Sequence, residues 1–263
     1  MDCFGSDGEL IMFRTLRQWL ALVVVTTAIV LGGCLPQPGA QSSAASPSPT
    51  QTASAPVIQT SSPQASGIPR LAGKATVAIV VKGGTITAEL DGINAPITAG
   101  NFVDLVQRGV YNGLVFHRVV REPQPFVVQG GDPQSKNPNF PPEQLGTGSF
   151  IDPATGQARY VPLEITPVGA KAPVYSKTLD MAGVSAKPKL THKRGALAMA
   201  RSQPPDSASS QFYITLADVN FLDGNYAVFG YVTQGMETVD KIQQGDRIES
   251  AKVVKGLENL KKG

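Results

Sequence analysis

The sequence predicts a mainly β domain, a closed barrel of short antiparallel strands with two helices, carried on a long N-terminal extension. Three observations point there. Short apolar runs rich in β-branched and aromatic residues recur from about residue 74 onward, separated by Gly, Pro and Asn. Two stretches alone show helical periodicity, and no internal repeat is evident. Before residue 74 the composition is of another kind, so the 263 residues divide into one sizeable domain and an appendage.

The extension comes first. Residues 1–11 carry Asp2, Asp7 and Glu9 and no basic residue, unlike the start of an export signal, and Met12 reads as the true start. Arg14 and Arg17 form a basic region, and Trp19 to Leu31 is an apolar run. At about 13 residues this run is shorter than the ~20 that span a bilayer as a helix. It closes on Leu31-Gly32-Gly33-Cys34, which resembles the bacterial lipoprotein signal. The resemblance implies lipidation of Cys34 and an anchor in a bacterial membrane, facing the extracytoplasmic side of the cell envelope. Residues 35–73 are dominated by Ser, Pro, Ala, Gln and Thr. So little apolar bulk does not offset the entropy of ordering, and a disordered tether is expected there.

The folded domain is expected over 74–263. Ala75–Val81 and Thr85–Leu90 read as a hairpin turning at Lys82-Gly83-Gly84. Pro96 suits a first helical position, Phe102, Leu105 and Val106 share a helical face, and Gly109 stops a helix over about 96–108. Phe116–Val120 and Phe126–Asp132 follow as two short strands. Residues 133–160 and 167–191 are expected as long loops around a short strand at Val161–Ile165. Gly195–Ala200, Gln211–Leu216 and Ala227–Val232 read as strands, Met236, Val239 and Ile242 as a short amphipathic helix, and Val253-Val254 as a closing strand.

Composition excludes several chemistries. With 23 basic and 20 acidic residues the net charge is +3, and no run of like charge is longer than two residues, the closing Lys261-Lys262 included, so a nucleic-acid partner is not expected. Both cysteines, Cys3 and Cys34, lie in the extension, and His117 and His192 are the two histidines. The domain therefore lacks the ligands of a structural zinc site and any thiol nucleophile, and no Gly-x-Ser-x-Gly elbow is present. Neither metal nor cofactor is expected. His117 reads as a packed structural residue. What remains is one guanidinium, Arg118, and one amide, Gln129, among apolar side chains, a set suited to an uncharged, partly apolar group.

Five separated motifs occur in order: Phe116-His117-Arg118, Gln129-Gly130-Gly131-Asp132, Gly195 to Ala200, Ser210-Gln211-Phe212, and Leu222-Asp223-Gly224 followed by Val228-Phe229-Gly230. Together, over about 74–255, the chain resembles the cyclophilins, peptidyl-prolyl cis-trans isomerases built on an eight-stranded antiparallel barrel capped by two helices. The resemblance implies Arg118 as the catalytic residue. It implies a proline pocket of Phe126, Val127, Tyr213 and Leu222, contacts to the substrate backbone from Gln129, Ala200 and Arg201, and a rim of Gln211, Phe221 and Tyr226. The expected partners are proline-containing polypeptides, and nothing calls for more than a monomer. The chemistry fits the residue types: amide resonance opposes rotation with a barrier of ~18–20 kcal/mol, and in the twisted state the prolyl nitrogen regains a lone pair that a guanidinium can meet.

Three departures accompany the resemblance. Val119–Pro125 is longer than the family spacing. Phe221 replaces a common tryptophan whose indole N–H is linked to cyclosporin binding, which implies weak affinity for that drug. Arg201 stands in place of a frequent asparagine and Tyr213 in place of a frequent phenylalanine, so the Tyr213 hydroxyl needs a partner if buried. The competing reading is a non-catalytic chaperone or scaffold that binds proline peptides.

Overall fold

The computed structural model describes residues 67–263. The expected signal segment, Cys34 and residues 35–66 of the tether lie outside them. Eight strands form one antiparallel sheet: β1 Lys74–Val81, β2 Gly84–Asp91, β3 Arg118–Val120, β4 Val127–Gly130, β5 Ala196–Met199, β6 Phe212–Thr215, β7 Val228–Gln234 and β8 Ile248–Lys255. Their spatial order is β8-β1-β2-β7-β5-β6-β4-β3. Two helices, α1 Pro96–Gln107 and α2 Met236–Val239, complete the frame.

The β1–β2 hairpin is paired from Lys74 opposite Asp91 to Val81 opposite Gly84. Lys82 and Gly83 at its tip both have positive φ, the conformation a two-residue hairpin turn requires. Along β1, Ala75, Val77, Ile79 and Val81 are buried in alternation with half-exposed neighbours. The central strands differ, for both their faces are covered. Val128, Leu197, Met199, Phe212, Ile214 and Phe229 point into the main core, while Val127, Ala196, Ala198, Tyr213 and Val228 form a separate apolar cluster on the other face. Double coverage makes these strands read as continuous apolar runs.

An aromatic group fills the core. Phe102 of α1 lies 5.2 Å from Phe212 and 5.0 Å from Phe229, ring centre to ring centre, and Tyr111 lies 4.9 Å from Phe102. The start of α1 has no local side-chain cap. The buried Glu164 carboxylate supplies one from a distance, accepting from the N–H groups of Ile97 (3.2 Å) and Thr98 (2.8 Å) and from the Thr98 hydroxyl (2.8 Å). It thereby satisfies donors that every helix start leaves free.

Two expectations are corrected. The closed barrel is instead a curled eight-stranded sheet: its edge strands β8 and β3 share no strand ladder. The segments leading into them meet through a single bridge between Val115 and Arg247, with Phe116 N–H donating to Asp246 O (2.8 Å) and Ile248 N–H to Leu114 O (2.8 Å). With three residues, β3 is too short to extend this contact before the chain turns away. The tether boundary at 73 also moves. Ile68 and Leu71 are buried, and Arg70–Leu71 pairs with Leu260–Lys261, so the fold starts at about residue 68. Gly100 lets α1 rest on this segment, where a Cβ would overlap the Pro69 carbonyl oxygen and Arg70 Cα.

The loop at 133–160 is ordered around one buried carboxylate. Asp132 accepts from the N–H groups of Gln134 (2.9 Å), Gly146 (2.6 Å) and Gly148 (3.1 Å). Farther along, Arg159 joins α1 through Asp104 (2.6 Å) and a small hairpin through Asp152 (2.7 Å).

Candidate active site

Strand periodicity assembles the site. Val127 and Gln129 share the outer face of β4, and the register sets Arg118 opposite Gln129 and Tyr213 opposite Gln129 on the other side. Ala198 lies opposite Tyr213, and its small side chain leaves room for the phenol ring.

Three polar side chains then form a chain along the surface. Arg118 Nη1 donates to Gln129 Oε1 (3.3 Å), Gln129 Nε2 donates to Gln211 Oε1 (3.2 Å), and Gln211 Nε2 donates to the Gly148 carbonyl (2.8 Å). The last bond ties the site to the loop wrapped around Asp132. Each amide is thereby oriented, and the Arg118 guanidinium is held over the Phe126 ring, 5.7 Å from its centre.

Arg118 stands in the strand ladder at the start of the lengthened segment. The ladder runs on through Val119 opposite Val128 and Val120 opposite Val127 before the chain turns. Phe126 N–H then donates to Val120 O (3.0 Å), closing the turn. Arg121 pins the turn outward by donating to Ile242 O (2.8 Å) and Val239 O (3.3 Å) at the end of α2.

Beside the guanidinium lies the apolar hollow. Val127 and Tyr213 are buried, and Phe126, Ala200, Leu222 and Tyr226 pack against them half-buried. Phe221 is 71% exposed and stacks on Phe126 with ring centres 5.8 Å apart. The Arg201 guanidinium is engaged by the protein itself, donating to the carbonyls of Asn225 (2.8 and 3.1 Å), Ser202 (2.8 Å) and Gln203 (2.9 Å). It also lies over the Tyr226 ring at 4.6 Å, so it braces the rim. A polar cavity of about 260 Å³ adjoins Gln129, Ala200, Arg201 and Gln211. All ten expected substrate contacts and Arg118 thus line one continuous stretch of surface.

Sequence reading missed what lies beneath. The Tyr213 hydroxyl meets His192 Nε2 at 3.0 Å, and His192 Nδ1 meets Asp223 Oδ1 at 2.8 Å. A buried tyrosine in this position signalled the need for a partner but not its identity. Burial holds the His192 imidazole below its ordinary pKa, with Asp223 acting the other way, and burial raises the Tyr213 phenol. His117 is packed as expected, with neither ring nitrogen hydrogen-bonded among the described residues, and burial lowers its pKa as well.

Comparison with known proteins agrees with this geometry. Residues 76–260 match the family model described as cyclophilin type peptidyl-prolyl cis-trans isomerase. A putative thylakoid lumen peptidyl-prolyl cis-trans isomerase of Synechocystis sp. is 43% identical over 207 residues, 74% of this chain and 51% of the relative. A chloroplastic peptidyl-prolyl cis-trans isomerase of Arabidopsis thaliana is 45% identical over 181 residues, 65% of this chain and 38% of the relative. The chain therefore spans about half of the first and less of the second. Among solved structures, a cyclophilin of Cryptosporidium parvum shares the fold, with a TM-score of 0.52 at 24% identity over 69% of this chain and 98% of that one. By its matched residues, this chain belongs to the cyclophilin-type peptidyl-prolyl cis-trans isomerase family.

Proposed function

We propose that the domain accelerates cis-trans rotation of X-Pro bonds, with Arg118 as the catalytic residue. The observation that carries this reading is the Arg118–Gln129 pair set at the mouth of an apolar hollow. Phe126, Val127, Tyr213 and Leu222 grip the pyrrolidine ring, while Gln129 and the backbone of Ala200 and Arg201 hold the substrate backbone on the other side of the rotating bond. Gln211, Phe221 and Tyr226 shape the rim. As the amide twists, the prolyl nitrogen becomes an acceptor, and a guanidinium N–H of Arg118 meets it. That bond has no counterpart in the planar ground state, so it lowers the barrier rather than merely tightening binding. No proton is transferred and no covalent intermediate forms.

The test is isomerisation of a Pro peptide by wild-type protein and by Arg118→Ala. Binding without acceleration by wild type supports the scaffold reading instead. Phe221 offers no N–H donor, so cyclosporin at nanomolar concentration is expected to leave the rate unchanged; inhibition at that level contradicts the role given to this position.

The setting we infer is outside the cytoplasm, where the domain, as a monomer, assists folding of envelope proteins from a lipid anchor on Cys34. The name of the Synechocystis relative, which places that protein in a lumen, supports an extracytoplasmic compartment. Growth with a clickable fatty acid is expected to label wild type and not Cys34→Ser. Equal labelling of both, or none in wild type, contradicts the anchor.

A further inference from the structure

We propose that Tyr213, His192 and Asp223 form a proton-sensitive positioning relay that sets the affinity of the proline pocket. This rests on the assignment of that pocket as the site of the proline ring, but not on turnover.

The geometry fixes who donates. Asp223 Oδ1 accepts from the His192 backbone N–H (2.8 Å) and from Nδ1 (2.8 Å), so in neutral imidazole Nδ1 carries the proton. Nε2 is then the acceptor, and the Tyr213 hydroxyl must donate to it (3.0 Å). The His192 side chain is 1% exposed, and its ring lies parallel to that of Tyr213 at 6.1 Å. In this state the Tyr213 O–H points out of the pocket, and the pocket floor is purely apolar.

Protonation of His192 reverses one bond. Nε2 becomes a donor, the phenol oxygen must accept from it, and the Tyr213 O–H swings away from the histidine. It then turns toward the side of the ring shared with the apolar cluster of Val127, Ala198 and Val228 and with Tyr226, whose ring meets that of Tyr213 edge-on at 6.2 Å. An O–H left without an acceptor there, or satisfied by water, opposes seating of a proline ring, because a ring cannot replace the lost bond.

Of the other titratable or charged groups around Tyr213, Tyr231 and Arg201 are already engaged, and Tyr226 is the neighbouring hydroxyl on the pocket side. Tyr231 is engaged with Thr191 through both its N–H (2.9 Å) and its carbonyl (3.0 Å), and Lys193 lies over the Tyr231 ring at 4.3 Å. Arg201, on the far side of Tyr226, is a donor already bound to backbone carbonyls.

The sign follows. Burial holds His192 below its ordinary value of 6.5, so the neutral, binding-competent form prevails at pH 7 and gives way as acid is added below that value. By linkage, a bound proline ring lowers the pKa of His192 further.

The experiment titrates an Ala-Pro-containing peptide into the full chain and into Tyr213→Phe between pH 7.5 and 4.5. It follows peptide Kd, the His192 ring nitrogens by NMR and cis-trans exchange in the same samples. In wild type, affinity is expected to fall by about tenfold as His192 protonates, the scale of one unsatisfied buried donor. In Tyr213→Phe, which has no hydroxyl to reorient, affinity is expected to stay flat across the same titration. Parallel pH profiles in the two proteins overturn the relay, as does an Nε2–H tautomer of neutral His192. Absence of cis-trans exchange at every pH, with peptide still bound, overturns the isomerase reading and leaves the relay tested by its Kd.

Discussion

Replacing Arg118 by alanine is expected to lower kcat/KM for X-Pro rotation by about 10²–10³-fold, the loss seen when one preorganised donor to a developing charge is removed. The fall should sit mainly in kcat, because the bond to the prolyl nitrogen forms as the amide twists. Stability should change little. Arg118 is exposed, and its tie to Gln129 is a 3.3 Å surface hydrogen bond. Substitutions of such groups usually stay within about 0.5 kcal/mol. Arg118→Lys should recover part of the rate, since a point charge on a flexible stem lacks the planar array of donors. A variant with full activity would place the catalytic donor elsewhere.

Phe212→Ala carries the largest expected effect on stability, a loss of about 3–5 kcal/mol in a denaturant titration. Phe212 is fully buried, and its ring meets those of Phe102 at 5.2 Å, Tyr111 at 5.4 Å and Phe116 at 6.2 Å. Truncation would open a cavity where α1, β6 and the segment before β3 converge, and surroundings held by three other rings collapse poorly. Because Phe212 and Tyr213 are adjacent on β6 and face opposite ways, slack in the core also reaches the pocket floor. Native domains hold about 5–15 kcal/mol in total, so this single change should remove a large part of it. Phe212→Leu fills more of the space and should cost less than half as much. Equal midpoints for Phe212→Ala and wild type would contradict the packing described.

Where pattern was local, the sequence was readable. The hairpin at 74–91 was announced by its alternation and its glycine turn, and α1 by Pro96 and the spacing of Phe102, Leu105 and Val106. The candidate site residues were readable as a set because their motifs resemble one family; strand register brings Arg118, Val127, Gln129 and Tyr213 together, and the adjoining loops add the rest. Long-range partnerships were not readable. Glu164 caps a helix that begins 68 residues earlier in the chain, at Pro96, and His192 reaches Asp223 and Tyr213 through the fold. The loop at 133–160 looked irregular because its order comes from one carboxylate, Asp132, rather than from a repeating pattern. The segment at 68–71 reads as tether in the sequence because two apolar residues among Pro and Gly give no period, although both are buried. Edge closure depends on how far β3 extends, which three residues cannot signal.

The central claim is that Arg118 drives rotation in a pocket that Gln129 and its neighbours hold in place. Two-dimensional NMR exchange spectroscopy on an Ala-Pro peptide tests it most directly, because cis and trans forms are counted without a coupled reaction. Wild-type protein at catalytic concentration should give strong cis-trans exchange peaks, and Arg118→Ala at the same concentration should give none while still broadening the peptide signals by binding. Exchange peaks of equal strength for the two proteins, or none for wild type, would contradict the claim.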